Sequence, residues 1–194
     1  MTSKAKILCF AGSARRDSLN KKLVQIAMQA AKQAEAEVTF IDLKDFDLPM
    51  YNGDLEAESG LPEAAVKLKE IFLNHNGLLM ACPEYNSSVT GLWKNAIDWV
   101  SRPLPGEAPL KCFSGKVAAI MSASPGQLGG LRGLVHVRAI LENIQVMVIT
   151  EQLSLPMAAA AFSEDGLKLV DEKKDASARK IGEKLAQVCH KLQG

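Results

Sequence analysis

The chain lacks the residue patterns that mark metal sites and disulfide-stabilised secreted domains. Its four cysteines form no C-x-x-C pair, and its three histidines are isolated from one another in the sequence. Zinc and similar ions need such ligands at close spacing, so the sequence predicts no metal site. The cysteines lie in strand-like contexts, which favours buried free thiols in a reducing compartment.

Long apolar runs and an excess of charge of either sign are also missing. No stretch approaches the roughly 20 apolar residues of a membrane span, so we expect no membrane insertion. The apolar run that follows Lys4 and Lys6 is too short for a signal peptide. The formal net charge of +1 provides no electrostatic footprint for nucleic acid. We therefore expect a cytoplasmic protein that does not bind nucleic acid.

The loop after the first apolar run lacks the glycines of two common nucleotide-binding motifs. It reads GSARRDSLN (12–20), with one glycine where the dinucleotide fingerprint has three, and no G-K-S or G-K-T ends it. A predicted helix follows, and the N–H groups at its N-terminus favour an anion. The loop offers polar side chains for one terminal phosphate: Ser13, Ser18, Asn20 and either Arg15 or Arg16. An ordinary helix-capping turn with two solvated arginines is the alternative.

The chain does contain a regular alternation of apolar and amphipathic segments. Its composition, 47% hydrophobic and 23% charged, argues against disorder. The apolar runs predict strands at 6–11, 38–41, 77–82, 116–122 and 146–149. Helical spacing predicts helices at about 18–35, 62–75, 89–100, 130–143 and 181–192, with a long polar loop at 42–60. This alternation predicts a single α/β domain over residues 1–194, in which a doubly wound, five-stranded parallel sheet of order 2-1-3-4-5 carries helices on both faces.

Two further polar loops follow predicted strands and therefore lie at the same edge of the sheet. They read PEYNSS (83–88) and SASPGQLGG (122–130). In the order 2-1-3-4-5 the first and third strands are neighbours, and ligands of such sheets bind in the crevice between them. Because glycines let the backbone approach a flat ligand, the three loops together predict a site for a mononucleotide with a planar head group. In isolation, a helix-entry turn and a flexible connection explain the second and third loops as well.

These loops resemble those of the NAD(P)H-dependent FMN reductases, a flavodoxin-like family that includes quinone, azo-dye and chromate reductases. The resemblance is carried by GSARRDSLN (12–20), PEYNSSVTGLWKNAIDWVSR (83–102) and SASPGQLGGLRG (122–133). It covers at least residues 6–148, and the segment after Gln152 carries little that matches. The chain departs from the family at Val89-Thr90, where proline often precedes the glycine, and we expect this to affect the start of the helix rather than the chemistry.

The resemblance implies an FMN-dependent oxidoreductase. Such an enzyme takes two electrons from NADPH or NADH and passes them to a small-molecule acceptor such as a quinone, an azo or nitro compound, free flavin or a metal oxyanion such as chromate. The resemblance assigns the cofactor phosphate to Ser13, Arg15, Ser18 and Asn20, with Leu19 beside them. It assigns the isoalloxazine ring to Pro83, Glu84, Tyr85 and Asn86, with Ser124 and Gly126 at the other edge.

No catalytic side chain is expected, because hydride passes from nicotinamide to flavin by contact geometry. The sequence accordingly shows no Ser–His–Asp, Cys–His or paired-carboxylate arrangement. Tyr85 and Asn86 are possible substrate contacts, and Tyr85 either stacks on the substrate or packs against the protein. Glu84 is either a general acid or a hydrogen-bonded loop residue.

The resemblance also implies a homodimer or homotetramer. Trp93 and Trp99 lie on the third predicted helix, where packing in the core or against a second subunit is favoured over ligand contact. Two alternative functions stay open: a flavodoxin-type electron carrier that binds FMN without nicotinamide turnover, and a non-catalytic flavin-sensing module. Carriers are usually acidic, whereas this chain is nearly neutral.

Overall fold

Five parallel strands form the centre of the protein. The structure, a computed structural model, describes residues 4–193. The strands are β1 (Lys6–Ala11), β2 (Glu37–Phe40), β3 (Gly77–Ala81), β4 (Val117–Ala123) and β5 (Met147–Leu155). They pair in the order β2-β1-β3-β4-β5, and every pair is parallel. The predicted flavodoxin-like sheet is confirmed.

Within residues 4–193, six α-helices and two short 3-10 turns connect and cover the strands. The helices are α1 (Leu19–Gln33), α2 (Gly53–Ser59), α3 (Glu63–Leu73), α4 (Gly91–Ser101), α5 (Leu131–Asn143) and α6 (Glu172–Gln193). The 3-10 turns are Leu43–Asp45 and Ala158–Ala160. Within the described part of the chain, no helix combines the length and the apolar character that a membrane span needs.

Two apolar layers enclose the sheet. Helices α1 and α6 pack on one face, and α3, α4 and α5 pack on the other. Successive strand side chains point to opposite faces, so in β3 Leu79 belongs to the first layer while Leu78 and Met80 belong to the second. Because both faces are covered, β3 and β4 are buried along their whole length. This is why these strands appear in the sequence as uninterrupted apolar runs.

Hydroxyl side chains determine where two helices begin at the carboxyl edge of the sheet. Ser18 caps α1, its Oγ accepting a hydrogen bond from the Lys21 N–H. Thr90 caps α4 in the same way and also donates to the Gly12 carbonyl at 2.8 Å. Thr90, where the chain departs from the family pattern, thus ties the start of α4 to the loop after β1.

Residues 42–60 were expected to form a long polar loop, and this expectation was wrong. They contain the 3-10 turn Leu43–Asp45 and helix α2. No residue of α2 is buried, so the helix has no apolar stripe from which it could be predicted. Side-chain contacts hold this region instead: Glu56 accepts hydrogen bonds from Tyr51 and from Arg102 of α4's C-cap.

Two elements at the C-terminal end are longer than expected. Strand β5 was expected to end at residue 149 but continues to Leu155. A register irregularity interrupts the pairing of β5 with β4 between Ala118 and Ile120. The edge strand carries polar residues at that point, so its second half does not appear in the sequence as an apolar run. Helix α6 begins at Glu172 rather than near Ile181. Its first turns are mostly exposed and polar, so they show no apolar spacing from which a helix could be predicted.

Both tryptophans of α4 are fully buried within the chain. Trp99 donates its Nε1–H to the Pro49 carbonyl at 2.7 Å, and Tyr51 packs edge-on against its ring. Packing in the core is therefore confirmed. The alternative that these side chains form a subunit contact face was wrong, because neither one reaches the surface.

Candidate functional site

Three loops meet around a cavity at the carboxyl ends of β1, β3 and β4. The cavity has a volume of about 80 Å³. It is lined by Ser13, Arg15, Ser18, Leu19, Asn20, Pro83, Glu84, Tyr85, Ala123, Ser124 and Pro125. From β1 the chain adds β2 on one side of the sheet and then β3 on the other side. The cavity therefore lies at this topological switch point, where ligands of such sheets bind. Asn86 and Gly126 are the two predicted site residues that do not line it.

The end of the cavity next to α1 is rich in hydrogen-bond donors. Ser13 and Ser18 are both buried, and the Oγ of each accepts a backbone N–H, from Arg15 at 3.3 Å and from Lys21 at 3.4 Å respectively. Each hydroxyl keeps its own O–H free to donate to a ligand. The N-terminus of α1 adds the positive end of the helix dipole.

The structure distinguishes the two arginines between which the sequence left a choice. Arg15 lines the cavity, whereas Arg16 does not. The side chain of Arg16 is 91% exposed and lies 4.0 Å from the Asp17 carboxylate. Among residues 4–193, no carboxylate forms an ion pair with Arg15. Arg15 therefore brings an uncompensated positive charge to the cavity.

The side-chain amide of Asn20 forms two hydrogen bonds within the protein. Its Nδ2 donates to the Ala123 carbonyl at 2.8 Å, and its Oδ1 accepts from the Ala123 N–H at 2.9 Å. One N–H of the buried amide is left for a ligand. Its predicted contact with a phosphate stays a prediction, and the contact that the structure contains is the one with β4.

The loop after β3 ends in a tight two-residue turn. Tyr85 and Ser88 exchange two backbone hydrogen bonds, at 3.0 and 3.1 Å. The residues between them, Asn86 and Ser87, have φ values of 51° and 66°, as a two-residue hairpin turn requires. The turn leaves Tyr85 half-exposed at the mouth of the cavity and carries Asn86 outside it.

Glu84 is committed to other protein groups. Its Oε2 accepts the Gly133 N–H at 3.0 Å, and its Oε1 accepts from the Arg132 guanidinium. Burial by itself raises the pKa of Glu84, but the hydrogen bonds from Gly133 and Arg132 outweigh it and hold the pKa below its ordinary value. A carboxyl that stays ionised is a poor proton donor, so the geometry favours the hydrogen-bonded loop residue over the general acid.

Two glycines of the loop after β4 are in close contact with other parts of the protein. A Cβ on Gly129 would lie 2.6 Å from the Leu155 carbonyl carbon, and a Cβ on Gly130 would lie 1.9 Å from the Ser122 Oγ. These two glycines thus permit close packing within the protein rather than approach to a ligand. A Cβ on Gly126 would make only an ordinary contact, at 3.6 Å from the Ser124 Oγ, and the Gly126 N–H donates to that Oγ at 3.2 Å.

The charge and size of the cavity fit the phosphate end of a flavin mononucleotide. The negative charge of Glu84 is compensated by Arg132, which leaves Arg15, two hydroxyls and a helix N-terminus to face an anion. At about 80 Å³ the cavity is well below the roughly 300–1,000 Å³ of pockets that enclose a whole small-molecule ligand, so it can enclose one end of such a ligand, such as a phosphate.

Some residues of this region were not predicted. Ala123 and Pro125 line the cavity but carry no chemistry that a sequence would reveal. Arg132 and Gly133 lie in the third loop motif, yet their hydrogen bonds to Glu84 depend on the tertiary structure. Within residues 4–193, no cluster of three or more His, Cys, Asp or Glu side chains could hold a metal ion.

Comparison with known proteins gives consistent results. Residues 5–160 match the family described as NADPH-dependent FMN reductase. The chain is 37% identical over 175 residues to an NAD(P)H-dependent FMN reductase of Pseudomonas aeruginosa, and the aligned region covers 89% of each protein. It is 36% identical over 152 residues to a quinone reductase of Escherichia coli, covering 78% of this chain and 77% of the relative. A flavoenzyme NAD(P)H:(acceptor) oxidoreductase from Paracoccus denitrificans superposes with a TM-score of 0.80 at 30% identity, over 96% of this chain and 98% of the other.

Proposed function

The chain belongs to the NADPH-dependent FMN reductase family, and on that premise we propose that it transfers two electrons from NADH or NADPH, through FMN, to a quinone-type acceptor. FMN, when bound, supplies the electron-transfer chemistry itself. The observation that carries the proposal is a small donor-rich cavity that is lined by the unpaired Arg15 and by the half-exposed Tyr85. This arrangement can hold the phosphate firmly and leave a planar ring accessible.

We assign phosphate binding to the hydroxyls of Ser13 and Ser18 and to the guanidinium of Arg15. The two hydroxyls are buried and have free O–H groups, so they can donate with little loss of side-chain entropy. Arginine adds charge and a donor fork that matches phosphate geometry. Asn20 contributes mainly by holding the end of β4 against α1.

We assign the ring to the crevice bounded by the loop after β3 and by Ser124. Pro83 is buried and gives that loop a rigid base, while Tyr85 is 52% exposed at the cavity mouth. Tyr85 is positioned to contact either a nicotinamide or an acceptor, and Asn86 follows it on the turn. No side chain is needed as an acid or a base, because the protein's task is binding and orientation.

The proposal includes a homo-oligomer, either a dimer or a tetramer. Large apolar side chains are exposed around the start of α5 and on the turn that the Glu84–Arg132 ion pair joins to it: Tyr85 at 52%, Leu128 at 49%, Leu131 at 42% and Val135 at 59%. Exposed apolar groups gathered in one region are typical of protein contacts, and a second copy would shelter a ring that one chain leaves open. We further propose that the enzyme works in the cytoplasm as a single FMN-binding domain.

The test is steady-state oxidation of NADH and NADPH by the FMN-loaded protein, with and without menadione as the quinone. We expect a flavin spectrum after reconstitution and quinone-dependent oxidation of at least one nicotinamide. Bound FMN without nicotinamide turnover would overturn the proposal in favour of an electron carrier or a flavin sensor. Failure to bind FMN would overturn the cofactor assignment as well.

A further inference from the structure

Helix α5 begins without a capping side chain of its own. Its N-cap is Gly130, with φ 87° and no side-chain hydrogen bond. A Cβ at this position would lie 1.9 Å from the Ser122 Oγ, so the usual capping residues cannot stand there. The first N–H groups of a helix nevertheless need acceptors. Water or a group from elsewhere in the chain has to provide one.

Glu84, in the loop after β3, provides that acceptor. Its Oε2 accepts the N–H of Gly133, the third residue of α5, at 3.0 Å. Its Oε1 accepts from the Arg132 Nε at 2.8 Å, and the side chain of Glu84 is only 7% exposed. A carboxylate at a helix N-terminus is further favoured by the helix dipole. Glu84 thus caps α5 and forms an ion pair with its second residue.

The far end of the same turn also rests on α5. Ser88 Oγ and His136 Nδ1 lie 2.9 Å apart and share a hydrogen bond. Gly133 lies between the two anchors, where a Cβ would be 3.2 Å from the Ser88 carbonyl and 3.3 Å from the Glu84 Cβ. The turn at residues 85–88 is therefore held at both ends by the first two turns of α5.

We propose that Glu84 and Arg132 are positioning residues for the acceptor. By capping α5, Glu84 holds the turn in the conformation that places Tyr85 at the cavity. Arg132 keeps the Glu84 carboxylate ionised and oriented. This inference rests on the proposed function, since it specifies how one side of the acceptor site is kept in place.

The test compares three variants with a control on the same helix. Glu84→Ala removes the cap and the ion pair; Glu84→Gln keeps an acceptor for Gly133 but loses the ion pair; Arg132→Met loses only the ion pair. The control is Arg138→Met, which breaks the hydrogen bonds from α5 to the Val148 and Ile149 carbonyls, away from the turn. The measurements are Tm, the Kd for FMN, and kcat and KM for menadione.

We expect Glu84→Ala to lower kcat/KM for menadione about tenfold when FMN is kept saturating according to the measured Kd. Glu84→Gln and Arg132→Met should fall between Glu84→Ala and the wild type. Arg138→Met should lower Tm and leave kcat/KM unchanged. If the Glu84 and Arg132 variants lower Tm but leave kcat/KM unchanged, as the control does, the pair only stabilises the fold and the proposal is overturned.

A second readout does not depend on turnover. Amide hydrogen exchange of the FMN-free protein should accelerate in residues 83–90 for Glu84→Ala and for Arg132→Met, but not for Arg138→Met. If the wild-type enzyme fails to oxidise NADH or NADPH, the proposed function fails. Hydrogen exchange still shows whether the turn depends on the contacts of Glu84 with Arg132 and Gly133. Unchanged exchange in both variants would overturn the positioning role. Should Glu84→Ala fail to fold, Glu84→Gln and Arg132→Met carry both measurements.

Discussion

The side-chain amide of Asn20 pairs with both backbone groups of Ala123, joining the first turn of α1 to the last residue of β4. The loop after β1 ends at α1, and the loop after β4 begins directly after Ala123. The pair therefore sets the distance between the phosphate-binding loop and the loop that carries Ser124.

Removal of the Asn20 amide should destabilise the protein noticeably. Asn20→Ala leaves the buried N–H and carbonyl of Ala123 without partners, and each such group costs about 1–3 kcal/mol. Urea denaturation should show a loss of unfolding free energy in this range. The loss should exceed that of Asn52→Ala, because Asn52 caps α2 at an exposed position. Equal losses for the two variants would mean that water replaces the Asn20 contacts.

Arg15 should contribute to the affinity for the phosphate and not for the ring. Arg15→Ala should weaken FMN binding by about 1.5–3 kcal/mol, the scale of a hydrogen bond to a charged group, and leave riboflavin affinity nearly unchanged. Arg16→Ala is the matched control, because Arg16 does not line the cavity. Titration of both variants with FMN and with riboflavin checks the assignment. An equal loss for the two ligands in Arg15→Ala would contradict it.

Nicotinamide and acceptor should react in turn. In the proposed arrangement only one face of the ring is exposed, so both substrates need that face and cannot be bound together. Double-reciprocal plots of initial rate at several menadione concentrations should therefore give parallel lines, the ping-pong pattern. Lines that intersect would indicate a ternary complex with two separate sites.

Ser87→Gly should stabilise the protein. Ser87 has a φ of 66°, a left-handed conformation that costs a residue with a Cβ about 1–2 kcal/mol. Glycine adopts it freely, although its greater freedom in the unfolded chain offsets part of the gain. Asn86→Gly should gain less, because asparagine tolerates this conformation. Thermal unfolding of both variants checks the order, and a lower Tm for Ser87→Gly would show that the serine side chain itself stabilises the turn.

The contribution of Glu84 to stability should disappear in acid. Its pKa is lower in the folded protein than its ordinary value of 4.5, so the ionised form stabilises the fold. This contribution is complete well above pH 4.5 and is lost as the pH falls through the lowered folded pKa. The difference in unfolding free energy between the wild type and Glu84→Gln should accordingly shrink from neutral pH to acid. A difference that is constant with pH would mean that the charge of Glu84 does not contribute.

Most of the fold could be predicted from the sequence because its signals are local. Strands β3 and β4 are apolar throughout since both faces of the sheet are covered. Helices α1 and α4 show apolar spacing on their buried sides and carry hydroxyl caps. Helix α2 and the second half of β5 lack these signals, because one is exposed on all sides and the other is a polar edge strand with an irregular register.

The sequence by itself determined which loops surround the site, since loops that follow parallel strands share one edge of the sheet. It also determined the polar groups that these loops carry. Only the tertiary structure decided which of those groups remain available to a ligand. The Glu84 carboxylate is taken by Arg132 and Gly133, the Asn20 amide by Ala123, while Arg15 stays unpaired beside the cavity. These partners are far apart in the chain, so their pairing depends on how the strands and helices pack.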